Sequence, residues 1–343
     1  MLDFKAAIAG CGAISSVHAD ALGKLGVTVV SVCDMDLSKT AKYFSKAYLG
    51  YKTMIDEGGF DVLHICLPHH LHAPAAIYAM EQGINVLCEK PMAIHISEGE
   101  AMIKASQDNK VTLGVVFQNR YNAGSRLIKK ALDSGALGKI KSGWLKVTWS
   151  RGEQYYTDSS WRGKWATEGG GVLINQAIHT FDLINYFFGE SPAYVDASID
   201  NCVHPTIEVE DVVEGVMVYG EPEEVKVSFY ANTFHHYDAP VKLKLLCENG
   251  RVTLKGDFAI IKYSNGKKDI YSTKDDANLP AGAKSYWGIS HARQIKSFYD
   301  SLTKGDIPEV DGKEALKTQR LIHCIYESAR LGKRVHLNPT TFS

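Results

Sequence analysis

An apolar run at residues 4–9 leads straight into Gly10-Cys11-Gly12-Ala13-Ile14-Ser15 and then into a helical pattern, a junction that few folds accept. A strand buried on both faces reads as an unbroken apolar run, and glycines directly after it permit the tight turn that sends the chain into a helix. The alternation continues with apolar runs at 27–33, 61–67, 84–88 and 111–117. Between them lie helical segments at 73–82, closed by Gly83, and at 97–109, where Ser97 is the expected N-cap. Strands that alternate with helices predict a doubly wound parallel sheet.

The pattern changes near residue 122. A helix over 124–134 precedes alternating strand-like runs at 139–150, 194–202, 212–219, 224–232 and 241–247. One strong helix at 171–188 interrupts them, and helices at 286–303 and 313–330 follow. Successive strands without crossover helices imply an antiparallel or mixed sheet. At 343 residues the chain exceeds what one core usually serves. The expected fold is therefore α/β: a Rossmann doubly wound domain over 1–121 and an α+β domain over 122–343, built on a mostly antiparallel open sheet.

Lys and Arg total 38 against 39 Asp and Glu, so no net field favours nucleic acid or an anionic membrane. The expected partner is a small molecule. The N-terminus, with Asp3 and Lys5, lacks a secretory pattern, and no stretch approaches the ~20 apolar residues of a spanning helix, so a soluble, cytoplasmic protein is expected. Seven cysteines without short spacings suggest reduced, buried thiols rather than disulfides or zinc.

A Gly-x-Gly turn between strand and helix is the setting of a dinucleotide site. Gly10 makes the turn, Gly12 lets backbone approach a pyrophosphate, and Ala13 and Ile14 open the helix whose N–H groups would meet its charge. Ser15 stands where a third glycine is usual. Asp34 ends the second strand, about 20 residues on, where a carboxylate accepts from ribose hydroxyls. It would repel a 2′-phosphate by up to about 4 kcal/mol at an intermediate dielectric. No arginine follows in Met35-Asp36-Leu37-Ser38, so NAD is favoured over NADP. A capping role suits Asp36 better than Asp34.

Two further segments carry chemistry: Pro68-His69-His70-Leu71-His72 with Cys88-Glu89-Lys90-Pro91, and Glu168-Gly169-Gly170-Gly171 through Asn175, His179 and Asp182. Lys90 falls at the carboxyl edge of the sheet, where its ammonium can stabilise a developing alkoxide; a surface lysine paired with Glu89 is the plain alternative. Asn175 and His179, four apart on one predicted helix, share a face, and an imidazole near neutrality suits proton exchange with an alcohol. A hydrogen-bonded core histidine is the alternative there. The glycine triplet points to close approach of backbone to a ligand. Asp182, one turn on, is placed to orient His179 or to pair elsewhere. The histidine cluster lacks the companions of a metal set, so no metal is expected.

With the N-terminal fingerprint, these segments make the chain resemble the glucose-fructose oxidoreductase, inositol dehydrogenase and MocA family over nearly its whole length. The resemblance implies hydride transfer between nicotinamide and a secondary hydroxyl or ketone of a sugar or cyclitol. It implies Lys90 and His179 acting on the reacting hydroxyl and Asn175 binding substrate. Many relatives have aspartate where Asn175 stands, so the site is expected to lose one negative charge. Cofactor contacts are implied for Leu67, Pro68, His70, His72, Glu89, Lys90 and Gln118. A homodimer or homotetramer joined through the second domain's sheet is implied too. The rival functions are an NAD-retaining glycosidase and a non-catalytic NAD or sugar sensor.

Aromatic and hydrogen-bonding residues between 149 and 165 suit a sugar, with Tyr156, Trp161 and Arg162 as expected contacts and Arg120 reaching cofactor or substrate. Convergence of Arg120, Arg151 and Arg162 would favour an anionic substrate. The His235-His236-Tyr237-Asp238 run is a further expected wall.

Overall fold

The computed structural model describes residues 3–220, 223–256, 258–272 and 290–337. In chain order the strands are β1 (Lys5–Ala9), β2 (Thr28–Cys33), β3 (Lys46–Tyr48), β4 (Val62–Ile65), β5 (Asn85–Cys88), β6 (Leu113–Val115), β7 (Ile140–Thr148), β8 (Tyr194–Asp200), β9 (Val212–Tyr219), β10 (Val225–Asn232), β11 (Lys242–Cys247), β12 (Gly250–Lys255), β13 (Phe258–Tyr263), β14 (Lys268–Tyr271) and β15 (Val335–His336). The helices are α1 (Ser15–Leu25), α2 (Tyr51–Glu57), α3 (His72–Glu81), α4 (Ile96–Asp108), α5 (Ala123–Asp133), α6 (Glu153–Thr157), α7 (Ile178–Phe188), α8 (Ser290–Lys304) and α9 (Gly312–Leu331). Contacts divide the chain into two units, one from the described residues of Met1–Gln118 and Asn278–Leu316, the other from those of Asn119–Ala277 and Lys317–Ser343.

In the first unit the strands run β3-β2-β1-β4-β5-β6, with every neighbouring pair parallel. The order reverses between β1 and β4, which opens a crevice at the carboxyl edge of the sheet, the usual ligand position in this architecture. Strand β3, only three residues with two of them exposed, is too short and polar to be read from apolar runs. Ala6, Ile8, Val32, Val62 and Leu87 form a core with Ile295, Phe298 and Tyr299 of α8. Helix α8 thus belongs to this unit, which corrects the simple division at residue 121: positions 295, 298 and 299 supply an apolar face that the strands bury. Of the helix expected over 286–303, residues 286–289 lie outside the described residues. The expected N-cap Ser97 is also corrected. His95 caps α4, and Glu98 returns a carboxylate to the His95 N–H at 3.0 Å, which leaves Ser97 inside the first turn.

In the second unit the sheet runs β14-β13-β12-β11-β7-β10-β9-β8-β15. Only β7 with β10 is parallel; every other pair is antiparallel. Burial alternates along β11, as a sheet covered on one face requires. Phe181 of α7 meets Phe229 of β10 edge to face at 5.1 Å. Strands β12 to β14 had no counterpart among the expected runs. The single helix expected over 171–188 is two segments, a π-helical stretch Val172–Ala177 followed by α7.

None of the seven cysteines is paired; six are buried, while Cys202 is exposed and corrects the expectation for that thiol. Among the described residues no helix is long and apolar enough to cross a membrane, and no group of three or more His, Cys, Asp or Glu is set to hold a metal ion.

Candidate active site

The first unit gathers its predicted residues along one sheet edge. Gly10, at φ 90°, directly follows β1, and a Cβ there would lie 2.4 Å from the carbonyl oxygen of Cys66, the residue after β4, so the neighbouring backbone demands the glycine. Gly12 differs: a Cβ would meet nothing within 4 Å, leaving open backbone ahead of α1. The first turn of α1 carries no acidic side chain, and Ile14 at its N-cap gives no side-chain acceptor. Those N–H groups therefore suit an anion, and the residues present fit a dinucleotide pyrophosphate. Ser15 is buried in the third-glycine position, donating to the Gly12 carbonyl at 2.6 Å and accepting from Tyr43.

Asp34 directly follows β2, with Oδ2 accepting from Cys11 N at 2.8 Å and Oδ1 from Asp36 N at 2.9 Å. It braces the glycine turn, and each oxygen keeps lone-pair capacity for a ribose hydroxyl. Asp36 is the residue that caps the next turn, through Ser38 N at 3.1 Å.

Beyond β4 and β5 come Leu67, Pro68, His70 and His72, then Glu89 and Lys90. His72 is buried, its two ring nitrogens 2.8 Å from the Leu67 carbonyl and 2.7 Å from that of Pro91. Burial favours the neutral ring, which donates to one of these carbonyls, and both nitrogens face the protein rather than a ligand. The Lys90–Pro91 peptide is cis. Glu89 points inward, its Oε1 3.0 Å from His18 Nε2 and 3.5 Å from His291 Nε2, while Oε2 accepts from Lys90 N at 3.2 Å. His18 Nδ1 lies 2.8 Å from His64 Nδ1, whose Nε2 is 3.0 Å from the Tyr299 hydroxyl. With neutral rings, Tyr299 donates to His64, His64 to His18 and His18 to Glu89, so each proton meets an acceptor. Burial raises the Glu89 carboxyl, but bonds from His18 and His291 outweigh it and hold the group well below the usual carboxylate range. Glu89 thus fixes the backbone of Lys90 from beneath. Gln118 is buried beyond β6, its Oε1 without a hydrogen-bond partner among the described residues.

The second unit assembles a different set. Asn175 lies in the π-helical stretch and His179 in the first turn of α7, so the four-residue spacing expected to align them spans a joint between helix types. Glu210 explains the wide turn, because its buried carboxylate accepts from Gly171 N at 2.8 Å, Leu173 N at 2.9 Å and the Tyr326 hydroxyl at 2.9 Å. Two of the three glycines answer to the protein itself: a Cβ on Gly170 would lie 1.9 Å from the Tyr326 hydroxyl, and one on Gly171 the same distance from the Glu210 carbonyl. Packing alone therefore requires glycine at these two positions, without a ligand.

Asn175 Nδ2 donates to Glu168 Oε1 at 2.5 Å and to the Tyr155 hydroxyl at 3.2 Å. Gln176 Nε2 reaches the same hydroxyl at 3.3 Å. Burial pushes the Glu168 carboxyl up to about 7, against the lowering effect of Gly163 N–H, Asn175 and Arg162. Burial does the same to Glu210, also to about 7. The negative charge expected to be lost at Asn175 is restored beside it whenever Glu168, in contact with the amide, is ionised. Neither Glu168 nor Tyr155 was predicted from sequence; the only signal was their place beside the glycine triplet and within the aromatic stretch.

Two expected substrate contacts, Tyr156 and Arg120, are claimed by the protein itself. Tyr156 is buried with Ile207 and Val209, its hydroxyl 3.3 Å from Thr233 Oγ1, while Tyr155 faces Asn175. Arg120 is buried in a bidentate pair with Asp182, Nε to Oδ2 at 2.7 Å and Nη2 to Oδ1 at 2.6 Å, and Thr318 also donates to Asp182 at 2.9 Å. Of three arginines expected to converge, Arg151 and Arg162 share the Tyr155 ring, at 5.3 and 4.3 Å from its centroid. Arg162 also stacks on Trp161 at 5.0 Å. In the expected wall at 235–238, Asp238 instead anchors the chain, accepting from Ser150 N and Arg151 Nη1.

Residues 4–117 match the oxidoreductase family with an NAD-binding Rossmann fold, and residues 125–253 match the GFO/IDH/MocA C-terminal domain. The chain is 28% identical to inositol 2-dehydrogenase of Rhizobium meliloti, over 96% of this chain and 97% of that enzyme. It is 34% identical to levoglucosan dehydrogenase of Pseudarthrobacter phenanthrenivorans over 44% of this chain, a stretch that spans only 38% of that enzyme. Among solved structures, the WlbA dehydrogenase of Bordetella pertussis, in complex with NADH and UDP-GlcNAcA, superposes with a TM-score of 0.84 at 29% identity, covering 98% of this chain and 99% of that one.

Proposed function

The chain belongs to the GFO/IDH/MocA oxidoreductase family, and from that premise we propose how its own side chains serve hydride transfer. It is an NAD-dependent oxidoreductase acting on a secondary hydroxyl or ketone, with a sugar, sugar derivative or cyclitol as substrate. Bound NAD supplies the hydride acceptor, and in its reduced form the donor.

The remaining roles fall to the protein. The Lys90 ammonium donates to the reacting oxygen and stabilises the negative charge that develops there, an effect strongest where water is excluded. His179 takes the hydroxyl proton in oxidation and returns it in reduction. Asn175 orients the substrate, while Tyr155, Trp161 and Arg162 offer ring faces and donors of the kind sugars bind. On the cofactor side, Gly12, Ala13 and Ile14 face the pyrophosphate and Asp34 the ribose, with Leu67, Pro68, His70 and Gln118 completing the contacts. Glu89 and His72 act by holding the backbone around Lys90.

One observation carries this reading: Lys90 lies two residues beyond the end of β5, on the carboxyl edge that also bears Gly12 and Asp34. The test is a screen of NAD reduction against sugars, inositols, sugar phosphates and nucleotide sugars, where NADH should form with at least one cyclic polyol. Release of an aglycone from aryl glycosides without net NADH would replace this reading with a glycosidase. Binding without turnover across the panel would make the chain a sensor.

The proposed compartment is the cytoplasm, where buried thiols stay reduced. The proposed assembly is a homodimer or homotetramer through the nine-stranded sheet, on which Leu246 is 54% and Ile270 60% exposed. Light scattering on the purified chain checks the assembly, and a monomer would refute it.

A further inference from the structure

The second unit holds a buried carboxylate that the mechanism above does not use. Glu168 is 1% exposed, and its Oε1 lies 2.5 Å from Asn175 Nδ2. Its Oε2 accepts from the Gly163 backbone N–H at 2.5 Å. An ionised carboxylate only accepts, so the Asn175 atom facing it must be the amide nitrogen. Tyr155, with its hydroxyl 3.2 Å from the same nitrogen, holds the amide from another direction.

We infer that Glu168 is a positioning residue that sets the hydrogen-bond polarity of Asn175, so that the amide presents its oxygen to a substrate hydroxyl acting as donor. The inference rests on the substrate role proposed for Asn175 and deepens it.

The arrangement reverses when Glu168 takes up a proton. Both carboxyl oxygens face N–H groups, but the Gly163 backbone N–H is fixed while the Asn175 amide can turn, so the proton is best accommodated on Oε1, facing Asn175. Two donors then oppose each other, and the amide must rotate to bring its oxygen to Glu168 and its nitrogen to the substrate. The site therefore prefers a hydroxyl donor when Glu168 is ionised and an acceptor when it is neutral. Burial, which raises the Glu168 carboxyl to about 7, puts the exchange in the physiological range. The charged and titratable groups around it include, among the described residues, Arg162, which favours ionisation, Glu210, which opposes it, and the phenols of Tyr155, Tyr156 and Tyr326.

The test needs no substrate. In the full chain labelled with ¹⁵N-asparagine, the Asn175 side-chain signal is identified by its loss in Asn175→Asp and followed from about pH 5.5 to about pH 8.5. It should move with a midpoint of about 7 in the parent protein. It should stay fixed in Glu168→Gln, and move as in the parent in His179→Gln. Should Glu168→Gln fail to fold, Glu168→Asp, which withdraws the carboxylate by one methylene, should abolish the same response. A signal that titrates unchanged in the Glu168 variants, or does not titrate in the parent, overturns the inference and leaves the substrate role of Asn175 standing. Unchanged turnover in Asn175→Ala overturns that role and leaves the titration untouched.

Discussion

Tyr155 and Tyr156 show how much one position decides at the residue scale. Both are aromatic in a stretch suited to sugars, yet Tyr156 is claimed by Ile207 and Val209, about fifty residues later in sequence, a packing that adjacent letters do not reveal. Tyr155→Phe should raise KM about fivefold, the worth of roughly 1 kcal/mol of hydrogen bonding to Asn175 and Gln176. Tyr156→Phe should leave KM unchanged; steady-state kinetics on a substrate from the screen decides. At the cofactor end Asp34 was legible because its place after β2 follows from the fold. Its bond to Cys11 N adds a consequence: Asp34→Ser with Met35→Arg should shift preference toward NADP while loosening the glycine turn, so NADH affinity falls as NADPH affinity rises. Unchanged selectivity in titrations with both cofactors would remove the ribose contact.

Elements separate residues that look alike in sequence. Gly10 and Gly12 look alike in sequence, but only Gly10 has a positive φ and a carbonyl oxygen 2.4 Å from its missing Cβ. Gly10→Ala should therefore lower the melting temperature sharply. Gly12→Ala should fold normally yet weaken NADH binding by on the order of tenfold, since its Cβ enters the space the pyrophosphate needs. Equal effects of the two in thermal unfolding and NADH titration would contradict this division. Arg120 follows the last apolar run of the first domain, a position where a ligand contact is expected, yet the buried carboxylate that claims it lies on α7, 62 residues away. Arg120→Ala leaves Asp182 buried without that partner and should cost about 3–5 kcal/mol in denaturant unfolding. Long apolar strands and amphipathic helices were legible from periodicity. The π-helical joint at Val172–Ala177 was not, because it arises from the Glu210 carboxylate gripping two backbone N–H groups.

For the whole molecule, the two fold types were legible, since strand–helix alternation and strand succession are written along the chain. The return of α8 to the first unit was not, because its apolar face states only that something is covered. Stability should carry the mark of the buried carboxylates. Glu168 has a folded value near 7 against about 4.5 unfolded, so the folded state binds the extra proton between those values. Its contribution is complete below the lower value and is lost as pH rises through the upper. Glu168→Gln lacks that slope, and the melting temperature of the variant minus that of the parent should climb from about pH 5 to about pH 8. A flat difference in calorimetry would mean that Glu168 does not titrate in that range. The most direct test of hydride transfer by this chain compares Lys90→Ala and His179→Ala with the parent, on a polyol that the screen shows it to oxidise. Each variant should lose on the order of 10²-fold or more in kcat while binding NADH within about threefold of the parent. Parental turnover in either variant would contradict the assignment of both groups to the reacting oxygen.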